Sequence, residues 1–182
     1  MEDKIRGQAI TYGDNINTDV IIPARYCTSF DMDFLGQHCM EDMDRDFLRN
    51  RKPGDILVVG NNFGCGSSRE AAPVAIKGAD ISCIIAKSFA RIFYRNAINI
   101  GLPIFECKEL AEITRNGDRL EVDPKTGLIS NLTRSKSFPS VPYPEVIREI
   151  ISSGGMIHFV RKRLGQKIKS GRTFYKNPDS LP

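Results

Sequence analysis

The residues best suited to chemistry lie in one short loop, residues 60–70, which holds three glycines, two adjacent serines, an arginine and a glutamate. Glycine lets a backbone turn sharply and approach a ligand closely. Arg69 can bind a carboxylate through two parallel hydrogen bonds, and the hydroxyl groups of Ser67 and Ser68 precede it. The spacing Ser67-x-x-Glu70 fits a capping box, which would place helix N–H groups near an anion. The loop therefore predicts a site for a small anion beside a serine hydroxyl.

The segments around this loop must hold it in place. Residues 56–59 are apolar and β-branched, which predicts a buried strand. Residues 71–78 suit a short helix that ends at Gly78. Pro73 is unfavourable beyond the first turn of a helix, which favours a helix start later than Ser67. The loop is thus expected to join a strand to a helix.

The alternation of strand and helix continues along the chain. Apolar runs predict strands at 81–86 and 102–106, with a helix at 89–100 between them. A first strand is expected at 5–12. We therefore predict an α/β fold with a strand–helix–strand core.

Beyond residue 107 the pattern changes. Turn signals flank residues 119–122 and 128–132, which predicts additional antiparallel strands. Helices are expected at 144–151 and 156–164. We assign residues 1–164 to a single domain and residues 165–182 to a basic C-terminal extension.

The composition excludes several classes of protein. Of 182 residues, 41% are hydrophobic and 26% are charged, as in ordinary globular proteins. No apolar run approaches the roughly 20 residues of a membrane span, and the first residues lack the features of a signal peptide, so a cytoplasmic protein is expected. Residues 161–182 carry seven basic side chains and a single acidic one, without the motifs of nucleic-acid binding, so no nucleic-acid partner is expected.

The five cysteines are odd in number and widely spaced, and no two form a Cys-x-x-Cys motif. This spacing argues against a disulfide framework, a zinc site or an iron–sulfur cluster held by this chain alone.

Three motifs in order resemble the small subunit of 3-isopropylmalate dehydratase, in the aconitase superfamily. They are Asn15-Ile-Asn-Thr-Asp-Val-Ile-Ile-Pro-Ala-Arg-Tyr26, Gly64-Cys-Gly-Ser-Ser-Arg-Glu70 and residues 86–103 (AKSFARIFYRNAINIGLP). His38-Cys-Met-Glu-Asp42 fits the same family. The resemblance covers residues 4 to 164 and implies the swivelling β/β/α domain of the superfamily.

The resemblance also implies a reaction. The family dehydrates and rehydrates a hydroxy-dicarboxylic acid in leucine biosynthesis, which moves a hydroxyl group to the neighbouring carbon. It uses a [4Fe-4S] cluster whose cysteine ligands lie on a separate large subunit. We therefore expect this chain to be inactive without that partner.

Roles for individual residues follow from the same resemblance. Ser67 matches the catalytic serine, which as an alkoxide removes a proton beside a carboxylate. Ser68 and Arg69 match positions that hold the substrate carboxylate, and Thr18 and Asp19 match a pair that lines the same cleft. The loop expected to contact the variable group of the substrate comprises Arg25, Tyr26, Cys27, Thr28 and Ser29.

Two positions depart from the family pattern. Ala71 stands where histidine is usual, and Cys27 stands where leucine is common. The smaller, more polar loop at Cys27 leaves related substrates open beside isopropylmalate, namely 2,3-dimethylmalate, homoaconitate and citramalate.

Two functions of other classes compete with a dehydratase subunit. A serine hydrolase is disfavoured, because Ser67 is followed by Ser68 and Arg69 rather than by x-Gly, and histidines are scarce. A non-catalytic module that binds a dicarboxylate remains an alternative.

Overall fold

A mixed seven-stranded sheet runs through the computed structural model, which describes residues 4–165. The strands are β1 (Ile5–Thr11), β2 (Ile56–Val59), β3 (Cys83–Ala86), β4 (Ile104–Glu106), β5 (Arg119–Val122), β6 (Leu128–Asn131) and β7 (Lys136–Pro139). Their spatial order is β4-β3-β2-β1-β5-β6-β7. β1 to β4 are parallel, whereas β5 pairs antiparallel with β1 and β6 pairs antiparallel with β5 and β7. The predicted α/β class is confirmed.

Helices connect and cover these strands. Those of the described residues are α1 (Thr18–Ile21), α2 (Met32–Gly36), α3 (Phe47–Asn50), α4 (Ala71–Gly78), α5 (Arg91–Asn99), α6 (Lys108–Ile113), α7 (Glu145–Ser152) and α8 (Met156–Arg163). The predicted helices at 71–78, 89–100, 144–151 and 156–164 correspond to α4, α5, α7 and α8. No prediction was made for α1, α3, α6 or β7, which are short and carry weak hydrophobic patterns.

The two halves of the sheet differ in burial. Every residue of β2 and β3 is buried, because parallel strands lie between covering helices. In β5 and β6, only every second residue is buried, since one face is exposed. The continuous apolar runs and the alternating pattern seen in the sequence therefore have distinct causes.

Helix α4 begins at Ala71, so the prediction that Ser67 or Ser68 caps it is wrong. Glu70 occupies the N-cap position and makes no side-chain capping hydrogen bond. Pro73 is the third residue of the helix, where its missing N–H would have had no partner within the helix. The later start that Pro73 indicated is confirmed, and it leaves both serines in the loop.

Helices α2 and α4 touch through two glycines. A Cβ atom on Gly36 would lie 2.3 Å from the carbonyl carbon of Gly78, so no larger residue fits without a shift of the backbone. This contact holds α2 against the helix that follows the glycine- and serine-rich loop at residues 60–70.

No helix between residues 4 and 165 is both long and apolar enough to cross a bilayer. The extension predicted at 165–182 lies, except for Gly165, outside the described residues.

Candidate active site

Two segments far apart in sequence, residues 13–18 and 60–67, run side by side beyond the carboxyl ends of β1 and β2. Four main-chain hydrogen bonds join them: Gly60 N to Gly13 O (3.0 Å), Asn15 N to Asn61 O (2.8 Å), Gly64 N to Ile16 O (2.8 Å) and Thr18 N to Cys65 O (2.8 Å). Asn17 adds a cap, since its Oδ1 accepts from the N–H groups of Asp19 and Val20. The backbone thus fixes Thr18 relative to Ser67. We call residues 60–69 the serine loop.

Glycine is required in the serine loop at Gly64, where φ is +75°. A Cβ atom there would lie 2.2 Å from Cγ of Phe93 on α5. Phe93 is buried and packs edge-on against Phe63, with ring centroids 5.2 Å apart. The loop therefore rests directly on an aromatic cluster that cannot move aside easily.

Ser67 and Thr18 form the centre of the site. Their hydroxyl oxygens are 3.0 Å apart, and the Thr18 hydroxyl also lies 3.1 Å from the carbonyl oxygen of Ser67. Thr18 is only 1% exposed, whereas Ser67 is exposed. A hydroxyl group has one proton, so Thr18 can donate it either to the carbonyl or to Ser67 Oγ. Ser67 thus presents its oxygen to solvent with a buried donor behind it.

Arg69 supplies a fixed positive charge beside this pair. Its Nη1 donates to the carbonyl oxygen of Ile22 at 2.7 Å, and its Nη2 lies 2.5 Å from Oδ1 of Asp19. The Arg69 side chain is 17% exposed and that of Asp19 58% exposed. A guanidinium has five N–H bonds, so it can bind a carboxylate in addition to these two contacts. Ser68, next in the chain, is exposed.

The predicted substrate loop comes close to Arg69 at Cys27. The Cys27 thiol donates to Pro23 O at 3.7 Å. Burial raises the pKa of Cys27, and the charges of Arg69 and Asp19 act on it in opposite directions. Cys27 is therefore a protonated thiol near the Arg69–Asp19 pair.

Thr28 and Ser29 continue this loop away from Cys27. Thr28 is exposed, and Ser29 is partly buried. The hydroxyl oxygen of Ser29 accepts from the N–H of Asp31 at 3.1 Å, just before α2. The Ser29 hydroxyl group thus stabilises the turn that precedes this helix.

Arg25 and Tyr26 bind two acidic residues for which we predicted no role. Arg25 donates to both carboxylate oxygens of Asp42, at 2.6 and 2.9 Å, and to Glu41 at 2.6 Å. The Tyr26 hydroxyl donates to the same Glu41 oxygen at 2.6 Å. The only sequence signal was the motif His38-Cys-Met-Glu-Asp42, which carried no assigned role. The structure thus adds Glu41 and Asp42 to the surroundings of residues 25–29.

The side chains that could ligate a metal ion decide whether this chain can hold an iron–sulfur cluster. No group of three or more His, Cys, Asp or Glu side chains among residues 4–165 is arranged to hold a metal ion. All five cysteines are free, and burial raises the pKa values of Cys39, Cys83 and Cys107, which keeps these thiols protonated. A cluster needs several thiolates on one site. The cysteines of this chain do not fit one.

Comparisons with known proteins agree on one family. Residues 30–109 match the aconitase C-terminal domain family. The chain is 59% identical, over 160 residues, to the 3-isopropylmalate dehydratase small subunit of Caldanaerobacter subterraneus subsp. tengcongensis; the match covers 88% of this chain and 99% of that protein. It is 57% identical over 159 residues to the protein of the same name from Caldicellulosiruptor saccharolyticus, covering 87% and 92% of the two chains.

A solved structure shows the same fold. The crystal structure of 3-isopropylmalate dehydratase from Methanocaldococcus jannaschii superposes with a TM-score of 0.83 at 41% sequence identity. The superposition covers 89% of this chain and 96% of that one.

Proposed function

Because this chain belongs to the family of 3-isopropylmalate dehydratase small subunits, we propose how its residues perform their half of the reaction. The chain is the small subunit of a hydro-lyase of the aconitase superfamily, acting in leucine biosynthesis. Dehydration and rehydration interconvert 2- and 3-isopropylmalate in this enzyme. A small subunit implies a large-subunit partner.

Ser67 is the base that takes the proton from carbon. The observation that carries this assignment is the 3.0 Å contact between the hydroxyl oxygens of Ser67 and Thr18. Free serine is a weak nucleophile and a poor base, so it requires donors and cations that stabilise its oxyanion. Ser67 is exposed, so its hydroxyl proton can pass to solvent. The hydroxyl group of buried Thr18 can then turn from the Ser67 carbonyl onto the Oγ oxyanion, which in turn accepts the proton from carbon. Arg69 adds a positive charge two residues away.

Arg69 and Ser68 hold a substrate carboxylate next to Ser67. The contacts of Arg69 with Asp19 and Ile22 fix the plane of the guanidinium before substrate arrives. A carboxylate bound to a fixed cation also presents the neighbouring carbon in one orientation, which lowers the entropic cost of the step. Asp19 therefore orients Arg69 in this proposal.

The cofactor belongs to the partner in this proposal. Membership in the aconitase superfamily indicates an iron–sulfur cluster. Since the cysteines of this chain do not fit one, we place the [4Fe-4S] cluster on the large subunit and the site at the interface. Five free cysteines suit a reducing compartment, which supports a cytoplasmic location.

Among the substrates considered, isopropylmalate is the one we propose. The relatives that are 52–59% identical are named 3-isopropylmalate dehydratase small subunits. This agreement outweighs the polar character of Cys27, so the smaller acid citramalate serves as a comparison substrate.

The test is reconstitution with the large subunit under anaerobic, reducing conditions. We expect Ser67→Ala to lower kcat by about 10²- to 10⁴-fold, the usual contribution of a general base, without loss of assembly. The matched control is Ser137→Ala, since Ser137 is an exposed serine bonded to the hydroxyl of Ser130 at 2.8 Å, far from the site in sequence. Near-normal turnover by Ser67→Ala would refute the base assignment.

A second variant tests the carboxylate contact. Arg69→Lys keeps the charge but loses the planar fork, so we expect KM to rise by about 10-fold or more. An unchanged KM and kcat would rule out binding of the substrate carboxylate by Arg69.

A further inference from the structure

We propose that Glu41 is a positioning residue that fixes Arg25 and Tyr26 and thereby selects the side group of the substrate. This inference rests on the proposed function, because it needs a substrate bound at the serine loop. Glu41 itself is not expected to touch the substrate. It would act through the two residues that it holds.

Glu41 binds three side chains with its two oxygens. Oε1 accepts from Arg25 Nη2 and from the Tyr26 hydroxyl, each at 2.6 Å. Oε2 lies 2.9 Å from Nδ1 of His38. Burial alone would raise the pKa of Glu41, but the hydrogen bonds from Tyr26, His38 and Arg25 hold the pKa below its usual value. Glu41 is therefore a charged acceptor at neutral pH.

An aromatic stack makes this arrangement rigid. The rings of Tyr26 and His38 are parallel, with centroids 3.7 Å apart, and Phe34 packs edge-on against both. The guanidinium of Arg25 lies over the Tyr26 ring, 4.7 Å from its centroid. Glu41 binds Arg25, Tyr26 and His38 at once, and it therefore holds the polar groups of these three side chains together.

The segment that carries Arg25 and Tyr26 is connected to the serine loop. Ile22, just before it, accepts a hydrogen bond from Arg69. The chain then makes a 3₁₀ turn over Ala24–Tyr26, and the Cys27 thiol that follows is influenced by the charges of Arg69 and Asp19. The orientation of Arg25 and Tyr26 therefore sets where the loop stands beside the carboxylate-binding residues.

Loss of the charge on Glu41 should loosen this orientation without unfolding the protein. Arg25 keeps its two bonds to Asp42, but an amide at position 41 would turn N–H groups toward Arg25, Tyr26 or His38. The side chains of Arg25 and Glu41 are 51% and 29% exposed, so the effect on global stability is expected to be small. A change in the loop position would instead alter the fit of the substrate side group.

The experiment compares isopropylmalate with citramalate, which carries methyl in place of isopropyl. In the reconstituted holoenzyme, Glu41→Gln should reduce the preference for isopropylmalate, as a ratio of kcat/KM, by about 10-fold. The reduction should arise in KM for isopropylmalate, with kcat for citramalate unchanged. The matched control is Glu121→Gln, since Glu121 on β5 also accepts from two cationic side chains, those of Lys4 and Arg6. It should leave the ratio unchanged.

A second variant keeps the packing intact. Tyr26→Phe removes only the hydroxyl group that binds Glu41 and retains the ring that stacks on His38, so it should shift the ratio in the same direction. An unmoved ratio in both variants, or an equal loss for both substrates, would overturn the role of Glu41. A wild-type holoenzyme that does not turn over isopropylmalate would instead refute the proposed function.

Discussion

The serine loop and the loop at residues 23–29 lie side by side but are held by different forces. Main-chain hydrogen bonds to residues 13–18 fix the serine loop, and a glycine lets it pack on Phe93. In the loop at 23–29, side-chain contacts fix Arg25 and Tyr26, through Glu41 and Asp42. The position of the serine loop depends on main-chain hydrogen bonds, whereas that of Arg25 and Tyr26 depends on charged side chains.

Under the proposed function, this difference separates the two tasks of the site. A base must stay within a fraction of an ångström of its proton, and main-chain bonds between distant segments give that precision. Substrate choice needs a surface that a single substitution can change, and partly exposed charge pairs cost little stability when altered. The proposed roles then imply that specificity can change at residues 25–29 without disturbing the base proposed at Ser67.

The largest expected effect on stability is that of Gly64→Ala, which disturbs the loop held by main-chain hydrogen bonds. A non-glycine residue at positive φ costs about 1–2 kcal/mol. The added Cβ also meets the Phe93 ring at 2.2 Å, and such overpacking costs about 1–3 kcal/mol more. Together we expect a loss of roughly 3 kcal/mol in the free energy of unfolding, measured by urea denaturation of the isolated subunit.

Gly13→Ala is the control for that variant. Gly13 lies in the facing segment, but a Cβ atom there meets nothing within 4 Å among the described residues. It should change stability by less than about 0.5 kcal/mol. If both variants were equally stable, the close packing of the serine loop on Phe93 would not determine its position.

The next effect in size concerns the donor behind Ser67. Thr18→Val keeps the shape of the side chain but removes the hydroxyl group that can stabilise the Ser67 oxyanion. We expect kcat to fall by about 10²-fold with little change in KM, as for the loss of one oxyanion donor. Steady-state kinetics of the holoenzyme measures both constants. Thr18→Ser keeps a hydroxyl group and should therefore retain most of the wild-type kcat. Wild-type kcat in Thr18→Val would exclude this role.

How far the sequence predicts the molecule differs between its parts. The buried strands Ile56–Val59 and Cys83–Ala86 were predictable, because burial on both faces produces continuous apolar runs. Strand Lys136–Pro139 was not, since it pairs only with β6 and its residues are mostly exposed. Local sequence carries little information about a strand that its neighbour determines.

The same limit applies to the site. The serine loop was visible because its residue types and spacing are local, and the family resemblance supplied Thr18 and Asp19. The cap assigned to Ser67 was wrong because the loop pairs with residues 13–18, a long-range contact without a local signal. Glu41 was missed because its partners Arg25 and Tyr26 lie 16 and 15 residues away and meet it only in the fold.

The smallest effect tests the comparison between the loops directly, through their response to salt and acid. At about 1 M salt the screening length falls to roughly 3 Å, which weakens exposed ion pairs but not main-chain hydrogen bonds. The amide of Cys27, bonded to Ala24 O at 3.0 Å, should then exchange its hydrogen faster, whereas the amides of Gly64 and Thr18 should not. Hydrogen exchange followed by mass spectrometry or NMR measures each segment.

Acid should act on the loop at 23–29 in the same direction. The hydrogen bond from Arg25 lowers the pKa of Asp42, and the pKa of Glu41 is also below its usual value. A carboxylate with a lowered folded-state pKa stabilises the folded form above its unfolded-state pKa, and this contribution is lost as pH falls through the folded-state pKa. Protection of the Cys27 amide, corrected for the intrinsic pH dependence of exchange, should therefore fall in acid.

The Glu41→Gln variant should lose part of this response, because one of the two titrating groups is gone. Equal salt and acid responses at Cys27, Gly64 and Thr18 would show that charge does not distinguish the two loops, and the separation of base from specificity would then need another physical origin.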